Sequence, residues 1–155
     1  TPLYSSAASD VYKRQQQDSI VTASPARLLT MLYDRLLLDI GRAEKALRGQ
    51  NRVEAHKNLT HAQDIIAELM SSLRMDVWDG AEGLMALYVY AMKELVNANV
   101  QGDADKAQEI RELFEPLADA WKQAAAQLEA EEAKSAGIAK PGEVKRNSRG
   151  DLGVG

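Results

Sequence analysis

The chain has 155 residues, 45% of them hydrophobic and 27% charged, with a formal net charge of −4 and no cysteine. This composition describes one globular domain, long enough to bury roughly two-thirds of the surface its unfolded form exposes. The negative field argues against nucleic acid as a partner, the missing cysteine removes disulfides, thiolate zinc sites and thiol nucleophiles, and no apolar run reaches the roughly 18 residues of a membrane span, so no membrane insertion is expected.

Residues 1–19 are small, polar and aperiodic. Ser24-Pro25 then supplies an N-cap followed by proline at the first helical position, where the missing N–H costs nothing, and Ser24 is expected to accept from the N–H of Ala26 or Arg27. The helical pattern runs to about Arg48 and stops at Gly49. Asn51 can cap a second helix to about Arg74, with Leu59, Ala62, Ile66, Leu69, Met70 and Leu73 in one narrow stripe. A connection from Met75 to Gly80 carries Trp78 and ends in the turn pair Asp79-Gly80. The third helix spans about Ala81 to Gln101 and closes at Gly102. Asp103 caps a fourth, with Ile110, Phe114, Leu117, Ala118, Trp121, Ala125 and Leu128 on one side. Pro116 sits inside that pattern and should kink it or break one backbone bond near Glu112. Short connections force neighbouring helices antiparallel, so the expected fold is an all-α, up-down-up-down four-helix bundle over residues 16–130 with an irregular N-terminal arm. From about Glu131 the apolar period fades among glycines and scattered charges, and residues 131–155 read as a disordered tail.

No catalytic constellation is visible. The two histidines, His56 and His61, lie five apart, on different faces of the second helix and off its apolar stripe, so they cannot share a metal. Neither has a glutamate three residues before it, as a di-iron bundle requires. They read as solvated helix residues, and the carboxylates as ordinary charged surface beside Lys and Arg. With no glycine-rich phosphate loop and no Gly-x-Ser-x-Gly elbow, neither enzyme chemistry nor a cofactor or metal is expected. A structural bundle, or a phosphotransfer adaptor using His61, is the alternative of a different class.

The informative feature is apolar excess. In the first helix Leu28, Leu29, Leu32, Tyr33, Leu36, Leu37 and Ile40 fill a core face, while Met31 and Leu38 extend the apolar arc on the opposite flank. In the third, Leu84, Leu87, Tyr88, Ala91, Leu95 and Ala98 make one stripe; Met85, Val89, Met92 and Val96 make a second. A helix in a small bundle needs one. On the residues alone, either these helices are the most enclosed, or segments of another protein lie along the extra stripes, with methionines adapting to them.

Ordered blocks across most of the chain carry a family resemblance. Val21-Thr22-Ala23-Ser24-Pro25, followed by Leu-Leu-Thr-Met-Leu-Tyr-Asp over Leu28 to Asp34, is similar to the opening signature of the flagellin-specific export chaperones, the FliS family. Ile65-Ile66 with Leu69 and Leu73 resembles its second helix. Leu87-Tyr88-x-Tyr90-Ala91-Met92 with Leu95 and Ala98-Asn99 resembles the third, and Ala120-Trp121-Lys122-Gln123 the fourth. The resemblance implies a cytoplasmic bundle that binds the C-terminal segment of flagellin in apolar grooves, prevents premature polymerisation and passes it to the flagellar export apparatus by type III export. It leaves open a homodimer of the free protein. The partner-binding residues it points to are Ile20, Val21, Met31, Leu32, Tyr33, Leu38, Met85, Val89, Met92 and Val96, with Ile20 and Val21 forming a staple or lid ahead of the first helix. Two positions depart from the family pattern: Arg35 stands where glycine is usual after Leu-Tyr-Asp, and Gln15 where a tyrosine is usual, Tyr12 being about three residues away. The stretch Ser5 to Gln15 also resembles a translated sequencing adapter, so residues 1–15 are expected to be a non-native replacement of the N-terminus.

Overall fold

Three of the four helices in the computed structural model, which describes residues 24–137, open on a side-chain cap. Helix α1 (Pro25–Arg48) starts at Ser24, whose Oγ accepts from the Arg27 N–H at 3.2 Å, as the Ser-Pro pair predicts. Helix α2 (Arg52–Ser72) starts at Asn51, which accepts from the Glu54 N–H at 3.1 Å. Helix α4 (Ala104–Ser135) starts at Asp103, which accepts from the N–H groups of Asp105 and Lys106 at 3.0 and 3.2 Å. Helix α3 (Ala81–Gln101) has no side-chain cap. Its entry turn is closed by the Trp78 carbonyl, which accepts from the Ala81 N–H, and by the Trp78 indole, which lies so close over Gly80 that a Cβ there would stand 2.3 Å from the ring.

Left-handed residues set the stops of α3 and α1. Gly102 ends α3 at φ 67°, and the side chain of Arg52 lies against it, donating to the carbonyls of Asn99 and Val100 at 2.8 and 3.2 Å. A guanidinium on these last carbonyls also suits the negative end of the helix dipole. At the end of α1 the left-handed residue is Gln50 (φ 58°), while Gly49 takes an ordinary φ of −87°. The N–H groups of Gln50 and Asn51 donate to the carbonyls of Leu47 and Ala46 at 3.1 and 2.8 Å, a Schellman turn with glutamine where glycine is favoured. Gln50→Gly is expected to stabilise the protein by about 0.5–1 kcal/mol. A thermal melt should show a rise of a few degrees, and a fall would mean that the Gln50 side chain stabilises the turn by more than its backbone strain costs.

The bundle is the expected antiparallel, up-down-up-down arrangement. Helix α1 packs on α2 and α4, α3 packs on the same two, and α1 and α3 face each other diagonally. Ion pairs along the α1–α4 seam show the register: Arg27–Glu129 at 2.8 Å, Asp34–Lys122 at 2.9 Å and Glu44–Arg111 at 2.8 Å, one number rising as the other falls. The first two are exposed and pairs of that kind stabilise weakly, so the apolar interior holds the bundle together. Tyr33, Leu36, Ile40, Leu59, Ile66, Leu69, Leu95, Ile110 and Phe114 are fully buried there.

Two details of the fourth helix differ from expectation, and a third, the bond lost at Pro116, follows it. It runs past Leu128 to Ser135, because Glu131, Glu132, Ala133 and Lys134 are strong helix formers that need no buried face to continue a helix already begun. Leu128, expected on the packed side, is 43% exposed. Pro116 is accommodated within the helix at an exposed position, and Glu112, whose carbonyl loses a donor there, is exposed as well, so water can satisfy it. The readings of Ile20 and Val21, of the N-terminal arm and of the tail after residue 137 fall outside the described residues.

Candidate protein-binding surface

Helix α3 separates its two apolar stripes by burial. Leu84, Tyr88, Ala91, Leu95 and Ala98 are in the core, whereas Val89 is 51% and Val96 40% exposed. Met85 and Met92 are half-buried between these extremes, and Met92 packs against the core. Leu87, expected in the core stripe, is also half-buried, because it lies at the α4 edge of that stripe.

Hydrogen bonds orient the second stripe. Asn99 Nδ2 donates to His56 Nδ1 on α2 at 2.8 Å, while Tyr90 and Glu94 reach across to Glu109 and Lys106 on α4 at 3.1 and 3.0 Å. On a 3.6-residue wheel, Met85, Val89, Met92 and Val96 therefore lie on the outward flank of α3 nearest α2. Apolar exposure continues beyond both ends of this stripe. Val53 and Val100, with Arg52, His56 and Asn99, line an open cavity of about 520 Å³ at one end. Met75, Val77 and Trp78 are exposed in the α2–α3 connection at the other. Across α3 alone this path spans roughly 30 Å at 1.5 Å per residue.

The extra arc of α1 is a separate surface. Leu38 is 44% exposed and Met31 half-buried, both on the outward face of a helix diagonal to α3. Leu32 is half-buried against the core, and Tyr33 has no accessible surface. Tyr33 instead joins the two diagonal helices: its hydroxyl and that of Tyr88 lie 2.6 Å apart, and both rings pack on Phe114 with centroids 6.0 and 6.2 Å away. Burial raises both phenol pKa values, and in Tyr88 the bond to Tyr33 raises it further, so the link is between neutral hydroxyls. The buried Trp121 N–H lies towards Tyr33 without meeting hydrogen-bond geometry. Its indole also lines a cavity of about 130 Å³ with Leu29, Leu73, Trp78 and Tyr88. Tyr88→Phe strands the Tyr33 hydroxyl and is expected to cost about 1–3 kcal/mol. The double Tyr33→Phe/Tyr88→Phe variant should cost less than the sum of the two single changes in chemical denaturation. Strict additivity would mean that the hydroxyls do not depend on each other.

Reading His61 as a solvated residue is corrected by its partner. Asp39 on α1 is only 1% exposed, and its carboxylate accepts from His61 Nδ1 across the α1–α2 seam and from Arg35 Nε at 3.1 Å. Two elements distant in sequence create this contact, so no local pattern announces it. His56 does remain on the surface, bonded to Asn99. Among the described residues no group of three His, Cys, Asp or Glu side chains is arranged to hold a metal ion, and no helix is long and apolar enough to cross a membrane.

Comparison with known proteins gives a consistent picture. The family model described as "Flagellar protein FliS" matches residues 8–128, which includes part of the Ser5–Gln15 stretch. The flagellar secretion chaperone FliS of Bacillus subtilis is 33% identical over 133 residues, covering 86% of this chain and 99% of that protein. The corresponding chaperone of Escherichia coli is 32% identical over 69% of this chain and 80% of its own length, and that of Salmonella typhimurium 30% identical over 78% and 92%. A crystal structure of a flagellar chaperone from bacteria superposes with a TM-score of 0.62 at 19% identity, covering 77% of this chain and 98% of that one, a likeness of fold.

Proposed function

Since the chain belongs to the flagellar protein FliS family, a family of flagellar secretion chaperones, we propose that it binds the C-terminal segment of flagellin in the cytoplasm, keeps it from polymerising early and delivers it to the flagellar export apparatus. It does so without catalysis. The observation that carries this reading is the exposed second stripe of α3, where Val89 and Val96 stay open to water although the bundle already has a complete core. A structural adaptor would gain stability by burying or replacing them.

Met85, Val89, Met92 and Val96 form the principal docking strip, and Met31 and Leu38 a second one. Because the strips lie on diagonal helices, one partner can reach both only by wrapping around the bundle. That suits a segment disordered when free, which trades ordering entropy for a large contact surface. Tyr33 is fully buried and offers no surface to a partner, and Leu32 is half-buried at the edge of the core. The test is calorimetric titration of the full chain with a C-terminal peptide of the flagellin from the same organism. Saturable one-to-one binding with a negative heat-capacity change is expected, and no heat and no capture at high micromolar peptide would overturn the proposal.

A further inference from the structure

The outward face of α1 carries charge as well as apolar surface. Arg35, Leu38 and Arg42 follow one another at successive turns on this face. Across the seam, Lys57 and His61 of α2 join Arg35, Arg42, Asp39, Glu54 and Asn58 around a cleft of about 160 Å³. Its two carboxylates are already engaged. Asp39 is held by Arg35 and His61, and Glu54 Oε1 accepts from Asn58 at 3.2 Å. The cations on the rim are not: Arg42 and Lys57 are exposed and have no ion-pair partner among the described residues, and Arg35 spends only its Nε on Asp39, with its side chain 40% exposed. On a chain of net charge −4 this is a local reversal of sign, beside exposed Leu38.

We infer that the α1–α2 cleft is an electrostatic subsite that takes an acidic side chain of the bound polypeptide, while an apolar neighbour of that side chain rests on Leu38. The inference rests on the proposed binding of the flagellin segment and adds the chemistry that segment must present at α1. A carboxylate fits because the rim offers three separate cationic donors, the terminal nitrogens of Arg35, the guanidinium of Arg42 and the ammonium of Lys57, against one exposed carboxylate, Glu54, that makes no ion pair among the described residues. Rim charges of this kind select and steer a partner more than they add affinity.

The experiment titrates the flagellin C-terminal peptide into the full chain, Arg42→Glu/Lys57→Glu, Val89→Glu and, as a control, Lys134→Glu at the end of α4. In about 0.1 M salt the double reversal should bind about tenfold more weakly, and in about 1 M salt the gap should close, because screening there acts within a few ångströms. Val89→Glu should lose affinity at both salt concentrations, and Lys134→Glu at neither. Changing one acidic residue of the peptide to lysine should restore part of the affinity of the double reversal. If the parent chain binds and the double reversal binds equally well, or its loss ignores salt, the subsite is overturned while the chaperone reading stands. If the parent chain binds no flagellin peptide, both fall.

Discussion

Val89→Glu should weaken binding of the flagellin segment by about a hundredfold or more, nearly 3 kcal/mol at 1.4 kcal/mol per decade, while the melting temperature moves by only a few degrees. In the free protein the new carboxylate stays hydrated, since Val89 is already half exposed, and glutamate suits a helix better than valine. Under a docked apolar segment the same carboxylate would be stripped of water without a partner, which costs several kcal/mol. Leu95→Glu supplies the contrast. Leu95 has no accessible surface, so no folded state leaves its glutamate wet, and the cooperative melt should disappear. Leu87 is a weaker control because it is half-buried, and Met92→Lys a weaker probe because Met92 packs partly on the core. Calorimetry and thermal melts on Val89→Glu and Leu95→Glu therefore separate the stripes. A Val89→Glu protein that unfolds as Leu95→Glu does would make the second stripe ordinary core and move the search for the site to α2 and α4.

What could be read in the sequence follows the range of the interactions involved. Ser24, Asn51 and Asp103 act on N–H groups two or three residues ahead, and all three caps stand where the sequence places them. The core stripe of α3 depends on period alone, and Leu84, Tyr88, Ala91, Leu95 and Ala98 all occupy it. The separation of Val89 from that stripe was equally visible, because its angle on the helix wheel differs. Three features were not legible. The left-handed turn fell on Gln50, one residue past the glycine that marks the stop, because the Asn51 N–H reaching back to Ala46 sets where the chain reverses. The α4 extension to Ser135 depends on propensity after the apolar period has faded. The link between Asp39 and His61 depends on how α1 and α2 align, which no residue near either position encodes.

That last contact carries the other large expected effect. Arg35→Ala/His61→Ala removes both partners of a carboxylate that is 1% exposed, and stranding a buried charge in this way typically costs about 3–5 kcal/mol. The single changes should cost less, because each leaves one hydrogen bond in place. Arg35 should matter less than His61, since its side chain is 40% exposed against 25% for the histidine and part of its contribution is screened by water. Arg35→Gly, which loses the same contact to Asp39, adds roughly 1 kcal/mol of helix cost for a mid-helix glycine. Asp39→Leu/His61→Leu is the compensating variant: replacing a buried polar pair by apolar groups of similar size is often neutral or stabilising, so it should recover most of the lost stability. Denaturant titrations of these five variants make the comparison. If the double alanine variant unfolds at the same midpoint as the parent, Asp39 has found water or another donor, and the α1–α2 seam does not depend on this cluster. If the double leucine variant is as unstable as the double alanine one, the loss comes from packing in the seam and not from a stranded carboxylate.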